Sequence, residues 1–279
     1  WPQRALTNFA GWVASARAGP ITTWLITDFI RRYSVAMDEA LEPDPTRYSS
    51  FNSFFTRALR PGVRPLGDSE WICPVDGAIS QCGPIADDQI FQAKGHHYST
   101  RALVGGDGDL AAQFRNGSFA TIYLSPRDYH RIHMPCAGRL RRMIHVPGDL
   151  FSVNPATARG IPDLFARNER VVCEFDTPYG PMALALIRAT ILGSMATTWH
   201  GRVLPAHTTD IREWRYADEL DPATGEDPLA APWVSLDRGA EMGRFLLGST
   251  VVLLWPTGTI GFEAGWLADT PVRLGQDRK

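Results

Sequence analysis

A basic excess is missing from this 279-residue chain: 28 Lys and Arg face 30 Asp and Glu, a net charge of −2 at pH 7. The whole-chain electrostatic footprint of a nucleic-acid binder is therefore absent. Cysteine is scarce. Cys73, Cys82, Cys136 and Cys173 form no CxxC pair, which leaves neither zinc-ribbon spacing nor a disulfide framework and points to reduced core thiols. Long apolar runs are lacking too. The uncharged window from Phe245 to Phe262 is broken by Gly248, Pro256, Gly258 and Gly261. A spanning helix needs about 20 mostly apolar residues, so this window reads as buried strands and turns. No repeat of roughly 20 to 50 residues marks a solenoid. No signal-peptide pattern is present, and the chain opens at Trp1 rather than Met, as expected of a trimmed chain. A composition of 44% hydrophobic and 21% charged residues leaves ordinary globular structure, not collagen or disorder.

The first forty residues differ from the rest. Phe9, Trp12, Val13 and Ala16 recur at helical spacing, Gly19-Pro20 breaks the run, and Ile21, Trp24, Leu25, Asp28 and Phe29 begin a second helix. Arg4, Arg17, Arg31 and Arg32 stand against Asp28 alone. Amphipathic, Trp-bearing, locally basic helices suit an anionic membrane surface, and they equally suit packing on a core of their own. After the Pro-rich link "EPDPTRYSS", Ser50 can cap the helical run "FNSFFTRAL". Beyond Pro61 come short apolar runs rich in Val, Ile, Phe and Tyr, such as "FATIYL", "RVVCEF", "MALALI" and "STVVLLW". Turn residues separate them, which is the pattern of a sandwich or barrel. The expected class is α+β: N-terminal amphipathic helices over about residues 1–60, on a β-rich, barrel-like core over 61–279.

Three constellations could carry chemistry. "YLSPRDYHRIHMPCAG" sets His130 and His133 between Pro126 and Pro135. On a helix HxxH would present both rings on one face to a metal, but the flanking prolines oppose a helix and no third or fourth ligand stands nearby. Acid, base or orienting roles fit an imidazole better. In "PVDGAIS", Asp76 sits at a strand end before Gly77, either as half of a turn or as the carboxylate that holds a histidine tautomer. In "RFLLGSTVVLLWP", Ser249 follows Gly248, whose freedom allows a strained carbonyl open to the next hydroxyl. The tripeptide LGS recurs at Ser194, and spacing alone does not choose between the two serines.

Taken together, "AGWVASARAG", "FNSFFTRALRPGVRP", "PVDGAISQ", "QAKGHHYS", "FRNGSFATIYLSPRDYHRIHMPCAG", "VPGDLFSVN", "LFARNERVV" and "GAEMGRFLLGSTVVLLW" resemble the bacterial phosphatidylserine decarboxylases along nearly the whole chain. The resemblance implies a self-processing lyase that turns phosphatidylserine into phosphatidylethanolamine and CO2. It selects Gly248-Ser249 over Ser194 as the cleavage site and implies Asp76, His133 and Ser249 as the processing triad. His130 becomes a decarboxylation residue. The implied cofactor is a pyruvoyl group made from Ser249, which forms a Schiff base with the substrate; neither a metal nor pyridoxal phosphate is expected. Ser152, Val153 and Arg127 are expected to contact the substrate, with Arg131, Arg167 and Arg170 as further phosphate-binding candidates. Implied partners are phosphatidylserine, an anionic membrane surface, the large and small chains of one precursor and a second copy of the protein. The implied location is peripheral, on the cytoplasmic face of a bacterial inner membrane.

Two other classes compete. A lipoyl- or biotin-type carrier would want an exposed lysine on a tight hairpin, and none is evident. Lys94 in "QAKGHHYS" is discounted as a Schiff-base lysine because a pyruvoyl route is available. A serine hydrolase with the same triad would keep Ser249 intact in one chain. Two bands on a denaturing gel separate the processed protein from both.

Overall fold

The computed structural model describes residues 14, 16–189, 195–203, 210–216, 233–246, 249–262 and 265–277. The expected first helix around Phe9, Trp12 and Val13 lies outside them. Gly19 takes a positive φ of 54° and Pro20 occupies the first helical turn, so the chain restarts where Gly-Pro predicted. Helix α1 (Pro20–Tyr33) stops at Ser34, which turns left-handed and returns its N–H to the Ile30 carbonyl. Helix α2 (Phe51–Phe55) opens on a reciprocal Ser50–Ser53 capping box. It ends earlier than the apolar run suggests, at Thr56, whose hydroxyl donates back to the Asn52 carbonyl. Buried Ile26 packs with Phe54 and Phe55, and Phe29 meets Phe51, Phe54 and Phe55 edge-on at centroid distances of 5.1, 5.9 and 6.0 Å. Phe29 therefore belongs to a small aromatic core. Ile21 and Trp24 face outward, 64% and 65% exposed.

The rest is mainly β: β1 (Gly77–Pro84), β2 (Gln89–Ala93), β3 (His96–Ser99), β4 (Ser118–Leu124), β5 (Arg131–His133), β6 (Gly138–Val146), β7 (Arg170–Thr177), β8 (Gly180–Arg188), β9 (Met195–Thr197), β10 (Gly201–Val203), β11 (Arg212–Arg215), β12 (Ser235–Leu236), β13 (Glu241–Phe245), β14 (Ser249–Trp255) and β15 (Pro271–Val272). The large sheet runs β11–β6–β7–β8–β14–β4–β1–β15, with β12 also on β6, and a second sheet runs β10–β9–β13–β5. The α+β class holds. The sheets stay open among the described residues, since β11 and β15 end the large one without meeting, so the core is layered rather than closed into a barrel.

β14 lies at the middle of this architecture, between β4 and β8, and all seven of its residues are buried. Val251, Leu253 and Trp255 join a cluster that includes Ile132, Met195 and Met242 of the second sheet. Val252 and Leu254 face the other way, onto Leu103, Leu110 and Phe165 of short helical turns. Side chains alternate along a strand, so Ser249 shares the face of Val251 and looks toward the second sheet. Each fully buried Val or Leu contributes about 1.5–3 kcal/mol.

Candidate active site

Ser249 is the first residue of β14, paired with Leu124 of β4 and Arg188 of β8. It is completely buried, and its Oγ has no hydrogen-bond partner among the described residues. Gly248 and Ser194 lie outside the described residues. Asp76 precedes β1 and His130 follows β4, the strand paired with β14, while His133 lies on β5, which pairs with β13.

β4 leads into a turn closed by the Asp128 N–H on the Ser125 carbonyl, and His130 follows. Its carbonyl accepts from Phe245 N–H, at the end of the strand that runs on toward Ser249. The ring is fully buried, 4.0 Å from the Phe55 ring centroid, and Nδ1 donates to the Asp128 carbonyl at 2.8 Å. A carbonyl only accepts, so the proton sits on Nδ1 and Nε2 is a bare lone pair with no partner among the described residues. Burial pushes this imidazole down to about 3, against the weaker upward pull of its backbone bond.

His133 closes β5. Its Nδ1 donates to the Gly239 carbonyl at 2.7 Å, and Nε2 accepts from the Tyr129 hydroxyl at 3.1 Å. Burial again lowers the imidazole below its usual value. His133 is thus neutral with its lone pair on Nε2, the form a general base needs. Among the described residues no group of three or more His, Cys, Asp or Glu is arranged to hold a metal ion.

Asp76 stands in a bend just before β1, at a strand's start rather than its end. No hairpin turn forms at Asp76-Gly77. The glycine is needed for close approach, since a Cβ there would lie 2.4 Å from the Tyr123 carbonyl oxygen. The Asp76 carboxylate accepts from Arg64 Nε at 3.0 and 3.1 Å, from Arg64 Nη2 at 2.6 Å and from the Leu274 N–H at 2.8 Å. Among the described residues no hydrogen bond joins it to His133, whose tautomer is set by Gly239 instead. The two are still neighbours: the His133 N–H donates to Pro74, two residues before Asp76, and Asp76 is among the charges acting on His133.

Asp76 opens onto a cleft of about 340 Å³ lined by Arg57, Arg64, Arg127, Asp128 and Tyr129. The Arg127 guanidinium is exposed there, while its carbonyl accepts from buried Arg57. Ser152 is half-buried and Val153 packs its side chain into the cluster on the opposite face from Ser249. Their loop is nonetheless moored beside Ser249, because Asn168 donates to the carbonyls of both Phe151 and Arg188. The other arginines are engaged: Arg131 by Glu241 and the Thr56 carbonyl, Arg167 by Asp149, and Arg170, buried, by three carbonyls.

Sequence reasoning missed Arg64, Tyr129 and Asn168, although each falls within a string already singled out. It also missed an exposed lysine on a tight hairpin. Lys94 and Gly95 join β2 to β3 with φ of 46° and 80°. Left-handed turns usually hold Gly, Asn or Asp, which hid this one.

Two family models match the chain, one described as phosphatidylserine decarboxylase over residues 51–278 and one described as PSD over residues 1–34. Among curated relatives, the phosphatidylserine decarboxylase proenzyme of Methylibium petroleiphilum is 66% identical, across 99% of this chain and 93% of that protein. Those of Acidovorax ebreus and Herminiimonas arsenicoxydans are 65% and 63% identical, across 99% of this chain and 93% and 89% of theirs.

Proposed function

Because the chain belongs to the phosphatidylserine decarboxylase family, we propose that Asp76, His133 and Ser249 carry out its maturation and that His130 serves its turnover. The protein is a carboxy-lyase that converts phosphatidylserine to phosphatidylethanolamine and CO2, made as a self-processing precursor that depends on a pyruvoyl group. One observation carries the residue assignment. A buried hydroxyl without a partner costs about 1–3 kcal/mol, and among the described residues Ser249 Oγ is such a group at the head of a wholly buried strand. Conversion to a ketone removes that hydroxyl, while the ladders to β4 and β8 hold the new terminus in place.

His133 Nε2 takes the Ser249 proton, the Tyr129 hydroxyl turning from donor to acceptor, as Oγ adds to the Gly248 carbonyl carbon. The proton passes to the residue 249 nitrogen, the 248–249 C–N bond breaks and an ester remains. Asp76 stabilises the His133 cation electrostatically, while Gly239 and Tyr129 fix the ring. Loss of the residue 249 Cα proton breaks the Cβ–O bond, freeing residue 248 as a carboxylate and leaving dehydroalanine at 249. Water enters and ammonia leaves as the pyruvoyl group forms at the head of chain 249–279, still associated with the large chain.

That ketone supplies an electron sink for the pair released with CO2, the service pyridoxal phosphate gives elsewhere, and no second cofactor is needed. His130 is the donor that returns a proton to the former Cα once CO2 has left. Arg127, Ser152 and the Val153 backbone contact the headgroup. Residues 1–60 form a membrane-associating part on the 61–279 core, with Ile21 and Trp24 of α1 entering an anionic interface. In this reading the enzyme, alone or as a homodimer, sits peripherally on the cytoplasmic face of the inner membrane. No described helix is long and apolar enough to cross a membrane.

A gel tests the assignment. Ser249→Ala is expected to give one uncleaved, inactive chain and Ser194→Ala two fragments; the reverse pattern rejects Ser249.

A further inference from the structure

Asp76 is held by a residue far from the reacting atoms. Arg64 turns its fork onto the carboxylate through Nε and Nη2, places Nη1 on the Val63 carbonyl at 2.9 Å, and reaches Glu39 with Nη2 at 2.6 Å. Both charged side chains of the Arg64–Asp76 pair are about nine-tenths buried. Glu39 belongs to the segment between α1 and α2. It is fixed by the Arg60 N–H on its carbonyl and joined at 3.4 Å by Arg273, next to the Leu274 N–H that also binds Asp76. Hydrogen bonding to Asp76 is the largest of the effects that raise the Arg64 guanidinium above its ordinary value.

A buried carboxylate keeps one orientation only if its oxygens are satisfied from fixed positions. A planar guanidinium does this with two nitrogens at once, and an ammonium cannot. We propose that Arg64, anchored by Glu39, is a positioning residue for self-cleavage: it aims Asp76 beside His133, so that the segment ahead of the β core completes the processing site. The inference rests on the reading that Asp76 takes part in cleavage. It adds that the N-terminal part is mechanically tied to maturation through the Glu39–Arg64 pair.

The test follows cleavage of the full chain with time during cell-free translation, by denaturing gel. Arg64→Gln is expected to slow cleavage at least about tenfold, the loss of charge-assisted bonds being felt in the barrier. Arg64→Lys should fall between Gln and the parent, and Glu39→Gln should slow cleavage less than Arg64→Gln. Added methylguanidinium should speed cleavage of Arg64→Gly in a saturable way and do nothing for Asp76→Asn. Those results support the proposal. If Arg64→Gln cleaves at the parental rate while Asp76→Asn is blocked, Arg64 has no such role. If Lys is as slow as Gln and methylguanidinium restores nothing, the side chain serves folding alone and the proposal is overturned. If Asp76→Asn itself cleaves like the parent, the role given to Asp76 fails, and the inference with it.

Discussion

Acid should weaken this fold through His130 in a way that one substitution can isolate. The ring is completely buried against Phe55 and held to about 3, whereas a histidine in the unfolded chain protonates near its ordinary value of about 6.5. Between those limits the unfolded state binds a proton that the folded state refuses. The stabilising difference is constant above about pH 6.5 and shrinks as pH falls toward the folded value, by about 1.4 kcal/mol per unit. From pH 6.5 to pH 5 the loss from His130 comes to about 2 kcal/mol. His133, also lowered by burial, adds a loss of the same sign. His130→Asn removes the titrating ring and keeps an N–H able to reach the Asp128 carbonyl. In a Ser249→Ala background, which stays one chain, the stability gap between parent and variant should narrow by about 2 kcal/mol over this range. Urea unfolding at half-unit steps from pH 5 to 8 measures it. A gap that is flat or widens in acid refutes a neutral, buried His130.

Three further outcomes are expected. Gly77→Ala must push β1 off the Tyr123 carbonyl, costing about 1–3 kcal/mol and slowing cleavage, because Asp76 is the next residue; an unchanged urea midpoint contradicts the close approach. Hydroxylamine, or borohydride with substrate present, should inactivate the mature enzyme, while chelators and stripping of pyridoxal phosphate should not; loss on chelation, restored by zinc, revives a metal at HxxH. Trp24→Ser should weaken co-sedimentation with anionic vesicles more than it slows cleavage. Arg31 and Arg32 share Asp28 at 2.9 and 2.8 Å, so the salt sensitivity of α1 should correspond to about one net positive charge. Sedimentation equal to the parent places the membrane contact elsewhere.

The strands were legible because their signal is local. "FATIYL" and "STVVLLW" became β4 and β14 with β-branched and aromatic residues where expected, and α1 opens at Gly19-Pro20 as expected. What stayed hidden depends on residues far apart in the chain. Nothing near Asp76 announces that Arg64 and Glu39 meet it, and the expectation that a carboxylate sets the His133 tautomer gave way to a backbone carbonyl 106 residues away. Phe29 shows the same limit on α1. Helical periodicity marks it apolar without saying whether lipid or Phe54 covers it, and here the answer is Phe54. The choice of Ser249 over Ser194 came from resemblance, since both strings read LGS.

A cut at the first residue of β14, as proposed, would have a consequence for the finished enzyme. Before such a cut the strand is tethered at both ends; afterwards it would be a separate molecule zipped between β4 and β8, with its register fixed on both sides. The small chain could then not depart without opening the large sheet at its middle. If the mature protein is unfolded, its pieces must find each other again in solution. The precursor refolds by a first-order process, while recovery of the processed enzyme becomes second-order and falls with dilution. Maturation by this route would work as a ratchet, exchanging the chain's continuity for a catalyst whose reassembly depends on concentration.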